Sequence, residues 1–421
     1  MLVKIIKNIK EKFKDEKSLF LMDTNLREEY YKEIESFQDA YNFYKTHSEE
    51  MKISKEDEEN ICNFFEFIFN LGDFLTPLNL KDILFFLKNK ENQIKISFIL
   101  LDCSYLFDDF KVYENILSYI EKNFEFLNQK GKNNYFLNWA ILNIINGEKR
   151  TAEKNLEISL KSNEELDIKE KNKFLFQALI NSFEDYEYFE KFLKTEEKIK
   201  IFKDYDIEKI KEGYLKSLSA NDPFKERVLR KLFEKNLRVG HFNINELNDL
   251  VKFLSMIDTY FSNNHSKEVK DMSLNICNSG KKIWNREIDL EKIEKAAYFH
   301  DLGKLILPWA LMDRKIPLSE KEREKFKEHS LLSYEILKNA GFEKEAIYVL
   351  DHHKYLNGKG YPNDNLKPTF EGNIICLAES FIGAVNLVSK TKVREKEELF
   401  IEFKQLRGIY FYPEIVEALL L

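Results

Sequence analysis

The stretch "LNWAILNIINGEKRTAEKNLEISL", residues 137–160, places two amphipathic patterns on either side of one tight polar break. Apolar residues recur at three- and four-residue spacing before and after Gly147, which puts them on one face of an α-helix. Two other segments share this plan of helix, short break and helix: "LLDCSYLFDDFKVYENILSYI" at 100–120 and "LFQALINSFEDYEYFEKFL" at 175–193. We therefore predict that this part of the chain is built from consecutive helix pairs.

The three segments also align with one another. Tyr113, Ala152 and Phe189 occupy matching places about 37 to 39 residues apart, close to the period of helical solenoid repeats. The middle segment resembles a tetratricopeptide repeat, with Gly147 at the turn and Ala152 on the second helix. An N-terminal helical, repeat-like domain is the prediction, and an irregular helical bundle is the alternative.

The composition favours an all-α protein with two domains. The chain has 421 residues, of which 43% are hydrophobic and 33% charged, and only 13 glycines and 7 prolines interrupt it. Its net charge of −7 gives no broad basic surface for nucleic acid. The 4 cysteines form no C-x-x-C pair, so we expect neither disulfides nor a thiolate zinc site, and a cytoplasmic location. No apolar run is long enough to span a membrane.

Two turn-rich stretches mark the domain boundary. "SLSANDPFKER" at 217–227 and "RVGHFNINEL" at 238–247 interrupt the helical pattern. We predict an interaction or sensor domain at residues 1–220, a linker at 221–240 and a second domain at 241–421.

Histidines are concentrated in that second domain. Five of the chain's 7 histidines lie within about 90 residues there: His265, His300, His329, His352 and His353. Asp301 directly follows His300. They fall on different predicted helices, as in metal sites at the centre of helical bundles. Nitrogen and carboxylate donors suit Mn, Fe or Zn.

There are too many donors for one tetrahedral ion, so we predict a two-metal centre. Neighbouring residues on a helix diverge by about 100°, so His300 and Asp301 should point differently, with Asp301 bridging the ions from the edge of the site. Two ions about 3.5 to 4 Å apart can acidify a water molecule and hold both sides of an in-line displacement at phosphorus. This chemistry suits phosphodiester hydrolysis.

The order of these residues resembles the HD-GYP branch of the HD phosphohydrolases. Its motifs here are His265, then "HDLGK" from His300, then His329, then His352-His353, then "GYP" at 360–362. The closing "GIYFYPEIVEALL" at 408–420 also matches, so the resemblance covers roughly residues 257–421. A C-terminal HD-type helical bundle is expected.

The resemblance implies a cytoplasmic hydrolase that cuts cyclic di-GMP to pGpG or GMP. It assigns metal binding to the five histidines and Asp301, with Fe or Mn as the expected metals and Zn, Mg or Ni as alternatives. Asp301 and Lys304 become the catalytic residues, and Lys304 also faces the scissile phosphate. The loop with Gly360, Tyr361 and Pro362 is placed beside the substrate, and Gly358 and Gly360 can adopt positive φ there.

Three positions depart from the family pattern. Glu379 stands where the family has its last metal-binding aspartate, and we expect it to bind metal. Lys390 and Lys392 are the candidates to replace the family's phosphate-binding arginines. Phe261 replaces the glutamate of members with three metals, so two divalent ions are expected.

The leading hypothesis is therefore a cyclic di-GMP phosphodiesterase. Two alternatives are a degenerate HD-GYP module that signals through protein contacts without turnover, and a hydrolase of another cyclic dinucleotide or nucleotide. For partners we expect a cyclic dinucleotide substrate and a protein bound by the N-terminal domain, with no nucleic acid and no membrane span. Homodimer formation is left open.

Overall fold

Helices account for all the regular secondary structure that the computed structural model describes, which covers residues 2–46, 54–162, 166, 168–193, 207–239, 242–258, 264–313, 318–363, 366–385 and 396–421. These residues form 21 α-helices and 4 short 3₁₀ helices, and the only β-type pairing among them is one isolated bridge between Arg407 and Phe411. The predicted all-α class is confirmed. None of the described helices combines the length and apolar character needed to cross a bilayer.

The chain divides into two units, Met1–Leu232 and Phe233–Leu421. The division falls within the predicted linker at 221–240. Most of that segment is a single helix, because the pattern "PFKERVLRKLFEKNLRV" has helical apolar spacing and Pro223 can occupy a first helical position. The connection between the units is thus a continuous helix.

The N-terminal unit contains the following helices: α1 Leu2–Lys12, α2 Thr24–Thr46, α3 Lys55–Asn70, α4 Leu75–Asn79, α5 Lys90–Leu106, α6 Phe110–Lys122, α7 Gln129–Ile145, α8 Lys149–Leu160, α9 Ile168–Asn181, α10 Phe183–Leu193, α11 Ile207–Ser219 and α12 Pro223–Val239, which continues past the division. Short 3₁₀ helices lie at Leu19–Leu21, Lys81–Phe85 and Phe124–Phe126.

Each of the three aligned segments is a helix pair, as predicted: α5 with α6, α7 with α8, and α9 with α10. The matching residues Tyr113, Ala152 and Phe189 are all fully buried on the second helix of their pair. The alignment of the three segments therefore matches residues on the buried faces of their second helices.

A buried lysine joins three of these helices. Lys173 on α9 is fully buried, and its Nζ lies 2.7 Å from Asp102 Oδ1 on α5 and 2.7 Å from Asn138 Oδ1 on α7. The ammonium also lies over the rings of Tyr105 and Tyr113. Because a buried cation is stable only when paired, this cluster fixes the three helices to one another.

The C-terminal unit contains the remaining helices: α13 Ile244–Ile257, α14 His265–Gly280, α15 Leu290–Phe299, the 3₁₀ helix Leu302–Ile306, α16 Trp309–Asp313, α17 Glu320–Asn339, α18 Glu343–Leu350, α19 Phe370–Val385, α20 Lys396–Leu406 and α21 Pro413–Leu419. Helix α14 packs against α15, α19 and α21, and α17 packs against the 3₁₀ helix and α18. Helix α14 thus lies among three other helices of the unit.

Candidate metal centre

The predicted metal-binding residues lie on five helical elements or directly beside them. His265 is the first residue of α14, His329 lies within α17, and Glu379 lies on α19. His300 and Asp301 follow α15, and the pair His352-His353 follows α18.

The donor atoms of His300 and Asp301 meet at the end of α15. A helix separates neighbouring side chains by about 100° at their Cβ atoms, and the backbone of His300 is still helical, with φ −54° and ψ −33°. The ends of the two side chains nevertheless converge, with Asp301 Oδ2 3.1 Å from His300 Nε2. The expectation that these side chains diverge was therefore wrong.

The seven candidate ligands form two groups, and within each group the donor atoms lie within 4.8 Å of one another. The first group is His329, His352 and His353, and the second is His265, His300, Asp301 and Glu379. Asp301 and Glu379 connect the groups. Asp301 Oδ1 lies 3.5 Å from His329 Nε2, and Glu379 Oε2 lies 3.7 Å from His353 Nε2. The donors thus form one continuous cluster.

Backbone carbonyls fix the orientation of three imidazoles. In each, Nδ1 contacts the carbonyl of the residue three positions earlier: His300 with Ala297 at 2.8 Å, His329 with Phe326 at 2.7 Å, and His352 with Val349. A carbonyl only accepts, so Nδ1 donates in each ring and Nε2 faces the cluster. Metal-binding histidines are commonly held in this way.

The chemistry of this donor set fits cations. Burial lowers the pKa of His329 to about 4 and holds that of His352 well below its usual value, so both rings are neutral. Their Nε2 atoms nevertheless lie 3.3 Å apart, with both N–H groups already used at Nδ1. Two lone pairs that face each other at this distance suit a shared ion rather than a hydrogen bond.

The second group gives a matching observation. His300 Nε2 and Asp301 Oδ1 are buried, yet neither atom completes a hydrogen bond with any described residue. Burial opposes ionisation of Asp301, but His300 and Lys304 outweigh it and keep its pKa well below the usual range. A buried carboxylate with an open oxygen is a strong cation ligand.

Lys304 lies beside this carboxylate rather than on the surface. Its side chain is 2% exposed, and Nζ lies 2.7 Å from Asp301 Oδ2 and 3.3 Å from Asp258 Oδ2. Burial favours the neutral amine, but Asp301 and Asp258 outweigh it and raise the pKa of Lys304. Lys304 therefore remains a cation at neutral pH.

Sequence reasoning missed Asp258. It follows the last turn of α13 and is buried. The available signal was an acidic residue directly after the apolar helix end "FLSMI", seven positions before His265.

Close packing explains Gly303. A Cβ at this position would lie 2.1 Å from the carbonyl oxygen of His329 and 2.6 Å from the amide nitrogen of Ser333. The Gly303 N–H also donates to Ser333 Oγ at 2.7 Å. This contact fixes the His300-Asp301 turn against the helix that carries His329.

Replacing Ser333 by alanine should loosen that contact. The buried Gly303 N–H would lose its acceptor, so we expect the free energy of unfolding to fall by about 1 to 2 kcal/mol. Chemical denaturation of the metal-free protein would measure it. Ser330→Ala, at a buried hydroxyl that contacts its own helix, is the matched control and should have a smaller effect.

The loop after His353 adopts two different glycine conformations. Gly358 has φ +73°, as expected. Gly360 is not at positive φ; a Cβ there would instead lie 2.0 Å from the carbonyl oxygen of His353. Tyr361 follows, and its ring stacks on His353 with centroids 4.5 Å apart. Pro362 comes next, after a cis peptide bond. The loop therefore lies directly against the imidazole cluster.

Three positions singled out in the sequence, Phe261, Lys390 and Lys392, lie outside the described residues.

Comparison with known proteins matches the part of the chain that contains this cluster to a protein family. Residues 255–386 match the HD domain family, and this range contains all seven candidate ligands. A cyclic di-GMP phosphodiesterase of Thermotoga maritima is 28% identical over 214 residues, 49% of this chain and 56% of that protein. A cyclic di-GMP phosphodiesterase response regulator of Xanthomonas campestris is 28% identical over 139 residues, 32% of this chain and 37% of that protein.

The chain thus spans little more than half the length of the first of these curated relatives and less of the second. Among solved structures, an HDG"Y"P protein from Bdellovibrio bacteriovorus matches with a TM-score of 0.32 and 13% identity, covering 65% of this chain and 78% of that one. The C-terminal unit of this chain contains a domain of the HD family, at residues 255–386.

Proposed function

We propose that the chain is a metal-dependent phosphodiesterase that hydrolyses cyclic di-GMP to pGpG or GMP. The observation that carries this proposal is the convergence of five histidines and two carboxylates into two adjoining donor groups. Both curated relatives described above carry the name cyclic di-GMP phosphodiesterase, which supports this choice of substrate.

Two divalent ions would be held by these groups. One would bind His329, His352 and His353, and the other His265, His300, Asp301 and Glu379, with the carboxylates near both. When bound, such ions supply positive charge to phosphoryl oxygens and lower the pKa of a water molecule. We propose Fe or Mn, because the donors are imidazole nitrogens and carboxylate oxygens and include no thiolate.

Lys304 contributes charge rather than a base. Its Nζ remains protonated between Asp301 and Asp258, so it holds a cation beside the position where phosphoryl charge would develop. A fixed cation at this point stabilises the transition state without a rearrangement. Asp258 acts as a positioning residue that helps to orient the ammonium.

We also propose that the protein acts in the cytoplasm. The free, buried thiols of Cys62, Cys103, Cys277 and Cys376 agree with a reducing compartment such as the cytoplasm. We propose that the N-terminal helical unit binds a protein partner or carries the sensing role.

Incubation with cyclic di-GMP tests the activity. Protein purified without oxygen and loaded with Mn²⁺ or Fe²⁺ should release pGpG or GMP, and a chelator should abolish the reaction because the metal supplies the reactive water. Chromatography of the products is the measurement. A metal-loaded protein that releases no product would support a non-catalytic binding module, and cleavage of another cyclic dinucleotide alone in a substrate panel would reassign the substrate.

A further inference from the structure

The segment 408–412, at the start of the closing motif, has no part in the proposed chemistry. It pairs with the loop that follows His353. The Leu356 N–H donates to the Tyr410 carbonyl at 3.2 Å, and the rings of Tyr355 and Tyr410 stack with centroids 4.3 Å apart. The segment therefore supports the chain that leaves the two adjacent histidines.

A single buried amide, that of Asn373, joins this segment and the histidine turn to α19. Asn373 Nδ2 lies 3.2 Å from the Tyr410 carbonyl oxygen and 3.4 Å from the Lys354 carbonyl oxygen. Its Oδ1 accepts the Tyr412 N–H at 2.9 Å. Carbonyls only accept and N–H groups only donate, so these three partners fix the direction of the amide. One side chain of α19 thus contacts both the closing segment and the residue directly after His353.

An ion pair closes the turn that carries His352 and His353. Asp351 and Lys354 flank the two histidines, and Asp351 Oδ1 lies 2.9 Å from Lys354 Nζ, with both side chains buried. Asp351 Oδ2 also accepts the Thr369 N–H at 2.7 Å, directly before α19. Because buried charges are stable only when paired, the turn keeps its shape.

The same helix connects this turn to the second donor group. Asn373 and Glu379 both lie on α19, and at about 1.5 Å per residue they are about 9 Å apart along its axis. His352 and His353 belong to the first donor group and Glu379 to the second. The distance between the two groups therefore depends on the contact between α19 and the turn.

We propose that Asn373 is a positioning residue that holds the first donor group at a fixed distance from the second, so that two ions are bound together. Asp351 and Lys354 keep the turn in the shape that Asn373 holds. This role rests on the proposed function, since it concerns the metals that the two groups would bind.

Asn373→Asp tests this role through the number of bound ions. A carboxylate keeps the size of the amide but replaces its N–H donors by an oxygen that faces two carbonyl oxygens, so the turn should move away from α19. His265, His300 and Asp301 do not lie on this turn and should still hold an ion. We expect bound Mn²⁺ to fall from about two ions per chain to about one in protein that remains folded. Elemental analysis after removal of unbound Mn²⁺, with circular dichroism of the same samples, is the measurement.

Asn339→Asp is the matched control. Asn339 Nδ2 also donates to a backbone carbonyl, that of Arg238 at 2.7 Å, but at the last residue of α17. This variant should bind as many ions as the wild-type protein. Asp351→Asn is a second, milder variant: it removes the charge that pairs with Lys354, and titration calorimetry should show the Kd of one Mn²⁺ ion rising about tenfold and that of the other unchanged.

Two bound ions with unchanged Kd values in both the Asn373→Asp and the Asp351→Asn proteins would overturn the positioning role, as would loss of both ions by folded Asn373→Asp protein. If Asn373→Asp does not fold, the Asp351→Asn titration decides. Hydrolysis is assayed separately. Wild-type protein that cleaves cyclic di-GMP while its variants keep both ions refutes the positioning role alone, whereas selective loss of one ion without any cleavage by the wild-type protein refutes the proposed activity alone.

Discussion

Replacing Asp301 by asparagine is expected to lower the rate of cyclic di-GMP hydrolysis at least about 1000-fold, because it removes charge at the point where both donor groups meet. The Asp301 carboxylate lies near donors in each group, with Oδ2 3.1 Å from His300 Nε2 and Oδ1 3.5 Å from His329 Nε2. It also pairs with the buried Lys304. An amide keeps the shape but neither the charge nor the ability to accept at both atoms. Product formation under saturating metal is the measurement.

Asp271→Asn is the matched control, since Asp271 is a half-exposed carboxylate on α14 outside the cluster. Its activity should equal that of the wild-type protein. Because loss of Asp301 also leaves the Lys304 ammonium less compensated, a folding defect must be separated from a chemical one. Glu379→Gln serves this purpose: it leaves the Lys304–Asp301 pair intact and should still reduce hydrolysis strongly. Wild-type rates in both the Asp301 and the Glu379 variants would disprove the assignment of the site.

Gly303→Ala should have the largest effect on stability. The added Cβ would lie 2.1 Å from the His329 carbonyl oxygen and 2.6 Å from the Ser333 nitrogen, and both are backbone atoms that cannot rotate away. The 3₁₀ helix would have to move off α17, so we expect the free energy of unfolding to fall by about 3 kcal/mol or more. The same shift would separate Asp301 from His329 and abolish hydrolysis. Thermal and chemical denaturation are the measurements.

The C-terminal unit offers a matched control for this substitution. Gly383 lies on α19, and a Cβ there would meet no described atom within 4 Å. Gly383→Ala should leave stability unchanged or raise it by up to about 1 kcal/mol, because alanine favours helix. Equal stability of the two variants would show that the turn at Gly303 does not pack as described.

The sequence was sufficient to predict which side chains lie together, because the motif fixes their types and order. The sequence predicts a shared site for five histidines, and the structure brings them together: His265, His300, His329, His352 and His353. The helix pairs were also predictable, since apolar spacing and short breaks are local features.

Features that depend on packing were not predictable. Asp258 joins Lys304 only because α13 ends beside the 3₁₀ helix, and a lone acid at a helix end carries no such signal. The approach of Asp301 Oδ2 to His300 Nε2 is a contact between side-chain ends, which the spacing of residues along a helix does not predict. Gly360 was attributed to positive φ, whereas its requirement is the close approach of the His353 carbonyl.

Elemental analysis of the anaerobically purified wild-type protein tests the central claim most directly. The account predicts about two divalent ions per chain, one for each donor group. Protein that is folded and yet retains no metal after loading with Mn²⁺ or Fe²⁺ would contradict it.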